Sequence, residues 1–189
     1  DQYVADPAFV EVPVKGLLDP EYVTLRAALI GADAGPAPSA GFPAPIQRGQ
    51  DSTIEATGTS HFVVVDAAGN VASMTTTVES LFGSGRAVGG FMLNNQLTDF
   101  SFNPIAADGA MVANAVDGGK RPRSSMAPVI VLDGKGEIVA ALGSPGGSAI
   151  LGYNAKTLVG LLAWELPLQQ AIDLPNLIAR GEDYFGEVS

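Results

Sequence analysis

The fold is decided by residues 59–78, which read TSHFVVVDAAGNVASMTTTV. Two runs rich in Val and Thr, residues 59–66 and 70–78, flank the short turn Ala67-Ala68-Gly69. β-branched residues favour strands, and a glycine in a short connection favours a tight reversal of the chain. The stretch therefore predicts an antiparallel β-hairpin that begins at Thr59.

A second hairpin is predicted downstream. Residues 128–132 and 138–142 are apolar and bracket the turn Asp133-Gly134-Lys135-Gly136. After this hairpin, Ser148 is the expected N-cap of a helix that Pro167 ends, and a second short helix begins near Leu168. The apolar residues assigned to the first of these helices are Ile150, Leu151, Leu158, Leu161, Leu162 and Trp164.

Upstream of the first hairpin, residues 1–34 contain one amphipathic helical pattern. Asp19, Pro20 and Glu21 form an acidic first turn ahead of the apolar residues Tyr22, Leu25, Leu29 and Ile30. Residues 35–52 are rich in Gly, Pro, Ala and Ser, which is typical of a linker, so we expect a boundary there. Hairpins with flanking helices and no repeated βαβ unit predict an α+β fold with antiparallel sheets.

Composition excludes several classes of function. The 189 residues carry a net charge of −10, which makes nucleic acid an unexpected partner. With no cysteine and one histidine, we expect no metal and no cofactor. The glycine-rich stretches 83–85 and 143–147 lack the residues of phosphate-binding loops. No window reaches the roughly 20 apolar residues of a membrane helix, so none is expected in this segment.

The candidate chemistry depends on hydroxyl groups. His61 is the only histidine, so a conventional Ser-His-Asp triad is nearly excluded, and we interpret His61 as a packed strand residue. A chain cut before a threonine would instead supply an α-amino base with a pKa of roughly 7.7–8.0. Gly58-Thr59 suits such a cut because glycine has no side chain to obstruct attack on its own carbonyl.

Four blocks of sequence resemble the γ-glutamyltransferase family in their order and approximate spacing. They are residues 57–70, Leu93-Asn94-Asn95-Gln96-Leu97-Thr98-Asp99-Phe100, residues 119–128 and Gly143-Ser144-Pro145-Gly146-Gly147-Ser148. The resemblance implies the four-layer αββα sandwich of N-terminal-nucleophile hydrolases. It also implies that residues 1–58 end a large subunit with its linker and that residues 59–189 form most of the catalytic small subunit.

The resemblance further implies a role for each matching residue. Autocatalytic cleavage between Gly58 and Thr59 would free Thr59 as the nucleophile, and Thr77 would hydrogen-bond it. We expected strand alternation to place Thr77 on the same face as Thr75 and Glu79. Gly146 and Gly147 would form the oxyanion hole. The residues implied to bind the glutamyl group are Glu79, Gln96, Asp99, Ser124 and Ser125.

Departures from the family pattern are few. Ser60 replaces the commoner second threonine, and Glu79 stands where many members carry asparagine. Arg123 stands where a smaller residue is frequent, so we expected it to alter access for acceptors. The arginine that clamps the donor carboxylate in this family would lie in large-subunit sequence outside these 189 residues.

The function that the resemblance implies is hydrolysis or transfer of γ-glutamyl groups through an ester on Thr59. The partners would be glutathione and other γ-glutamyl compounds, amino-acid or peptide acceptors, and the large subunit. One alternative is a cephalosporin-type acylase on the same scaffold, which Gln96 and Asp99 disfavour because they suit an α-amino group. Another alternative is an inactive precursor fragment. Export to the periplasm or outside the cell is also expected from the resemblance.

Overall fold

A computed structural model describes residues 2–33, 35–36, 38–51, 53, 58–180 and 183–187. In the described part of the chain the strands form two-stranded sheets, which are antiparallel in the three pairs that precede residue 143, and helices lie before and after the hairpins. The elements are α1 Val14–Leu17, α2 Pro20–Ala27, β1 Thr59–Val65, β2 Val71–Thr77, β3 Ala87–Val88, β4 Phe91–Met92, β5 Val129–Leu132, β6 Ile138–Leu142, α3 Ile150–Leu162, α4 Leu168–Asp173, β7 Leu177–Arg180 and β8 Asp183–Gly186, with 3-10 turns at Gln96–Asp99 and Gly147–Ala149. The α+β class is therefore confirmed.

The chain divides into two compact units. Unit 1 comprises Asp1–Ile54, Leu97–Arg123 and Ala179–Asp183. Unit 2 comprises Glu55–Gln96, Ser124–Ile178 and Tyr184–Ser189. This division reflects which residues pack together. The boundary expected after residue 58 concerns cleavage into subunits, and it stays a prediction.

The first predicted hairpin is confirmed. Strand β1 pairs with β2 in one unbroken register that runs from Thr59 opposite Thr77 to Val65 opposite Val71. The turn between them is fixed by the carboxylate of Asp66, which accepts hydrogen bonds from the amides of residues 68 and 70 at 2.9 and 2.8 Å. Thr59 therefore opens the strand, at the end of the hairpin opposite to the turn.

The second predicted hairpin is also confirmed. Strands β5 and β6 pair from Val129 opposite Leu142, with an irregularity between Val131 and Leu132. The hairpin belongs to unit 2, where the hydroxyl of Ser73 on β2 donates to the carbonyl oxygen of Leu142 at 3.3 Å. The two hairpins are thus in direct contact through β2 and β6.

The helix predicted in residues 1–34 is confirmed at its start and wrong at its end. The carboxylate of Asp19 caps α2 by accepting from the amides of Glu21 and Tyr22 at 2.9 and 3.0 Å. The helix stops at Ala27, so Leu29 and Ile30 lie beyond it and are 61% and 83% exposed. The apolar spacing therefore overstated the length of the helix.

The N-cap predicted at Ser148 is wrong. Ser148 lies inside the 3-10 turn Gly147–Ala149, and Ala149 precedes α3 without a side-chain cap. Gly146 and Gly147 take φ values of 132° and 56°, which wind the chain into a tight turn before the α-helix can begin. The short helix expected near Leu168 is confirmed as α4, which packs on α3 where Gly160 meets Ala171.

Each unit has its own buried residues. In unit 1 the core includes Phe100, Val112 and Ala113, which are 2–4% exposed. In unit 2 it includes Ile150 of α3 at 1% exposed and Ala171 of α4 at 0%. The start of α3 is therefore anchored directly after the glycine turn.

Candidate active site

Three residues at the open end of the first hairpin are joined by hydrogen bonds. The hydroxyl of Thr77 donates to the carbonyl oxygen of Gly58 at 3.1 Å and accepts from the amide of Glu79 at 2.8 Å. Thr77 is the strand partner of Thr59, and its hydroxyl is therefore hydrogen-bonded to the peptide group that precedes Thr59. A donor on this oxygen polarises the carbonyl that a Thr59 hydroxyl would attack.

Gly58 is required by the close approach of another backbone. A Cβ at this position would lie 3.2 Å from the carbonyl carbon of Glu79 and 3.4 Å from that of Ser80, and would overlap the Glu79 carbonyl oxygen. Backbone atoms cannot move away as a flexible side chain could. Glycine therefore lets the chain before Thr59 pack against the segment that follows β2.

Glu79 departs from the strand geometry that we expected. Strand β2 ends at Thr77, and Glu79 takes a φ of 74°, so the alternation of side chains does not extend to it. Its side chain is buried, the residue being 7% exposed, and its Oε2 accepts from Nε2 of Gln96 at 3.3 Å. A non-glycine residue in this region costs roughly 1–2 kcal/mol, which singles Glu79 out as a candidate functional position.

Ser80 and Asn95 support this pair, and the sequence did not assign them a role. The amide of Ser80 donates to Oδ1 of Asn95 at 3.0 Å, and Nδ2 of Asn95 donates to the Ser80 hydroxyl at 2.9 Å. These bonds tie the segment that carries Glu79 to the segment that carries Gln96. In the sequence, Asn95 is marked only by its position next to Gln96. That position does not identify Ser80 as its partner.

The predicted oxyanion residues lie in the glycine turn before α3. A Cβ on Gly146 would lie 2.6 Å from the Tyr153 ring, and the φ of 132° is accessible almost only to glycine. The first amides of a helix have no partner within it and attract negative charge. The three residues before this turn, Gly143, Ser144 and Pro145, line a cavity of 390 Å³ in unit 2.

His61 shares the Thr59 face of β1 and borders the same cavity. Its Nδ1 lies 2.9 Å from the hydroxyl of Thr75, and its ring fills the space beside Gly143. Burial lowers the pKa of His61 below its usual value of 6.5, so the imidazole is neutral at pH 7. These contacts support the interpretation of His61 as a packed strand residue.

The remaining predicted site residues lie on other segments. Asp99 belongs to unit 1, is 7% exposed and ends the 3-10 turn Gln96–Asp99. Ser124 and Ser125 belong to unit 2, and the hydroxyl of Ser124 accepts from the Met126 amide at 3.2 Å. The contacts described above thus join Gly58, Thr77, Glu79 and Gln96 around the start of β1, and they do not include Asp99 or the two serines.

Arg123 is buried, which contradicts our expectation that it alters access for acceptors. Its side chain is 5% exposed, and its Nη1 lies 3.1 Å from Oδ2 of Asp51, whose side chain is 1% exposed. Burial raises the pKa of Asp51, but hydrogen bonds from Thr53 and Ser101 and the charge of Arg123 outweigh it, so the pKa is lowered. The Asp51 carboxylate is therefore charged at neutral pH.

The described residues contain neither a candidate metal cluster nor a candidate membrane helix. In these ranges no group of three His, Cys, Asp or Glu side chains is placed to hold a metal ion. Within the same ranges no helix combines the length and the apolar character needed to cross a bilayer.

Comparison with known proteins decides the family. The family model described as Gamma-glutamyltranspeptidase matches residues 1–183. The chain belongs to the gamma-glutamyltranspeptidase family. It is similar to the Glutathione hydrolase proenzyme of Bacillus subtilis strain 168, with 39% identity over 186 residues that cover 93% of this chain. It spans 30% of the length of that relative.

Two further similarities extend this result. The Acylase ACY 1 proenzyme of Pseudomonas sp. strain SE83 is 35% identical over 179 residues, which cover 94% of this chain and 29% of the acylase. The solved structure of a gamma-glutamyltranspeptidase from Pseudomonas nitroreducens complexed with L-DON matches with a TM-score of 0.57 and 39% identity. That match covers 64% of this chain and 65% of the other. The proteins to which this chain is similar are thus named as hydrolases and as acylases.

Proposed function

We propose that this chain carries the nucleophile and much of the donor site of an enzyme that hydrolyses or transfers γ-glutamyl groups. The observation that carries the proposal is the Thr77 hydroxyl on the Gly58 carbonyl, directly before Thr59. A relative named as the proenzyme of a glutathione hydrolase supports both the activity and a precursor that is cut. Glutathione and other γ-glutamyl compounds are the proposed donors.

Self-cleavage is the first proposed step. The Thr59 hydroxyl attacks the Gly58 carbonyl carbon, and the negative charge that develops on the oxygen is stabilised by the Thr77 hydroxyl. The Gly58–Thr59 C–N bond then breaks, the nitrogen takes up a proton, and an ester remains on the threonine oxygen. Water hydrolyses this ester, which leaves a carboxylate on Gly58 and a free α-amino group on Thr59.

Turnover uses the same threonine. The α-amino group, with a reference pKa of roughly 7.7–8.0, accepts the hydroxyl proton as Thr59 attacks the γ-carbonyl of the donor. The amides of Gly146 and Gly147 are proposed to stabilise the oxyanion, and the leaving amine takes the proton. Water then releases glutamate from the ester, or an amino acid or peptide accepts the γ-glutamyl group. Each step moves only protons and an acyl group, so we propose no redox cofactor.

Donor recognition is proposed for five residues. A γ-glutamyl donor carries an α-ammonium and an α-carboxylate on one carbon. Glu79, Gln96 and Asp99 offer carboxylate and amide oxygens that suit the ammonium, whereas Ser124 and Ser125 offer hydroxyl donors that suit the carboxylate. The bond between Glu79 and Gln96 supports this assignment because it pre-orients two of the five side chains.

The proposal extends to the rest of the assembly. By family membership, a large subunit from the same precursor completes the donor site and an αββα four-layer sandwich. The likeness to the Pseudomonas nitroreducens structure supports the scaffold. Export to the periplasm or outside the cell stays a prediction.

The test uses the chain expressed with the segments that complete the length of its relatives. Wild type and Thr59→Ala are compared by intact mass and by release of nitroaniline from γ-glutamyl-p-nitroanilide. We expect wild type to split between residues 58 and 59 and to release product, while Thr59→Ala stays whole and inactive. A wild-type precursor that stays whole and inert would favour the inactive-fragment alternative.

A cephalosporin-type acylase is the second candidate, and the similarity to the Acylase ACY 1 proenzyme supports it. Glu79, Gln96 and Asp99 argue against it, because a glutaryl group has no α-amino group for them to bind. Glutaryl-p-nitroanilide beside the γ-glutamyl anilide separates the candidates. Faster turnover of the glutaryl compound would replace the γ-glutamyl assignment.

A further inference from the structure

Asn114 has a fully buried side chain, and both the nitrogen and the oxygen of its amide make hydrogen bonds. It is 0% exposed in unit 1. Its Nδ2 donates to the carbonyl oxygen of Asp99 at 2.6 Å, and its Oδ1 accepts from the amide of Arg123 at 2.8 Å. Both partners are backbone groups, so one side chain fixes the separation of two chain segments. Away from water these bonds have no substitute, and their loss would leave buried groups unsatisfied.

The Arg123 end of this bridge is itself anchored. The guanidinium pairs with Asp51, and the Asp51 carboxylate also accepts from the amide of Thr53 at 2.9 Å. On the Asp99 side, the amide of Ser101 donates to the backbone carbonyl of Asn114 at 3.0 Å. Asn114 therefore lies in a buried polar network, and a change at Asn114 would be felt at both backbones.

The two backbones matter because of what they carry. Asp99 is a proposed ligand of the donor α-ammonium, and Arg123 directly precedes Ser124 and Ser125, the proposed ligands of the α-carboxylate. These two donor groups are attached to the same carbon atom. Asp99 must therefore be held in place to distinguish a donor that carries the ammonium from one that lacks it, and a displacement of about 1 Å would weaken this contact.

We propose that Asn114 is a positioning residue for donor recognition, which holds the Asp99 backbone against the Arg123 backbone and thereby enforces selectivity for donors with an α-amino group. The inference rests on the proposed γ-glutamyl function and names a determinant of its specificity. Asn114 is fully buried, so no direct contact with the donor is proposed for it. It acts through the residues whose backbones it joins.

The test compares γ-glutamyl-p-nitroanilide with glutaryl-p-nitroanilide, which lacks the α-amino group, on the processed enzyme. We expect Asn114→Ala to raise KM for the γ-glutamyl anilide about 10-fold or more with kcat within about 3-fold, because uniform binding of the donor is lost. We expect kcat/KM for the glutaryl anilide to fall less than about 3-fold. The preference for the γ-glutamyl anilide should thus narrow by at least about 3-fold.

Val112→Ala is the matched control. Val112 is 2% exposed in the same unit and lies two residues from Asn114, so its truncation weakens the same core without removing the amide bridge. We expect this control to keep the wild-type preference. If Asn114→Ala is not recovered, Asn114→Asp serves instead, since it keeps an oxygen for the Arg123 amide and loses the amide donor to Asp99.

An Asn114 variant that keeps the wild-type preference, or that loses activity on both anilides in equal proportion as Val112→Ala does, would overturn the positioning role. Failure of the proposed function has a different signature. In that case wild type itself would show no preference for the γ-glutamyl anilide, whatever the variants do.

Discussion

The two hairpins β1–β2 and β5–β6 are built on the same turn and differ at their open ends. In each turn an aspartate, Asp66 or Asp133, accepts from the amides two and four residues later. In each a glycine with a φ near +85° follows three residues after the aspartate, Gly69 at 84° and Gly136 at 87°. The two turns thus share the same local hydrogen bonds and the same glycine conformation.

The open ends are not equivalent. The first hairpin ends with Thr77 hydrogen-bonded to the Gly58 carbonyl, whereas the second ends at Leu142 and leads into the glycine turn before α3. Those arrangements depend on residues about 20 positions apart or on a following helix. Local hydrogen bonds therefore suffice to form a hairpin, whereas the arrangement at its open end depends on contacts with other segments.

The largest effect is expected at the open end of the first hairpin. Thr77→Val keeps the shape of the side chain and removes the hydroxyl from the Gly58 carbonyl. We expect self-cleavage to slow by roughly 10²–10³-fold, as when one oxyanion donor is lost. The rate is followed by the appearance of the two fragments on a denaturing gel.

Thr75→Val is the control for this experiment. Thr75 lies on the same strand and bonds His61 instead of Gly58. Cleavage in this variant should stay within a few-fold of wild type. Equal slowing in the two variants would mean that strand stability, and not the hydroxyl on Gly58, limits the reaction.

An intermediate effect is expected where the second hairpin leads into α3. Gly146→Ala forces a Cβ into an unfavourable φ and against the Tyr153 ring, and strain of this kind costs about 1–3 kcal/mol. Gly136→Ala, at a positive φ with open space around it, should cost about 1 kcal/mol. Urea unfolding of the two variants measures the difference. A larger loss for Gly136→Ala would show that the contact with Tyr153 carries no strain.

The smallest effect is expected at the two turns, and it should appear only in acid. Bonds from Asn70 lower the pKa of Asp66, and bonds led by the Glu137 amide lower the pKa of Asp133, both below the usual 3.8. Their stabilisation is therefore complete above pH 3.8 and is lost as the pH falls through the folded-state pKa values. Thermal melts between pH 2 and 5 should show similar behaviour for Asp66→Asn and Asp133→Asn.

In these melts each Asn variant should be less stable than wild type near pH 5, and the difference should shrink towards pH 2. A variant whose deficit stays constant across this range would show that the carboxylate charge of that turn does not stabilise the fold.

Sequence reasoning was most successful where the cause of a structure is local. The hairpins and the start of α2 follow from β-branched runs, turn glycines and the cap at Asp19, each within a few residues. It failed at Ser148, where the outcome depended on the φ values of two glycines, and at Ile30, where the apolar spacing continued past the end of the helix. The burial of Arg123 depends on Asp51, which is 72 residues away in the sequence.

The candidate site shows the same division. Family motifs pointed to Thr59, Thr77, Glu79 and Gln96, and the structure places the last three in a chain of contacts that reaches Gly58. No sequence pattern indicated Asn95 or Asn114, because an asparagine shows its role only when both ends of its amide have found partners. The left-handed backbone at Glu79 was equally hidden, since glutamate has no preference for it.

The close packing of Gly58 against the Glu79 backbone has a consequence for the step that follows self-cleavage. The intact peptide bond presents a neutral carbonyl there, within reach of the Thr77 hydroxyl and close to the oxygen of another carbonyl. On the proposed cleavage, hydrolysis would replace it with a carboxylate, which brings a negative charge to a residue that is packed against the Glu79 backbone carbonyl. Repulsion between this charge and the carbonyl dipole would favour departure of the new chain end, which would leave Thr59 open to its first donor.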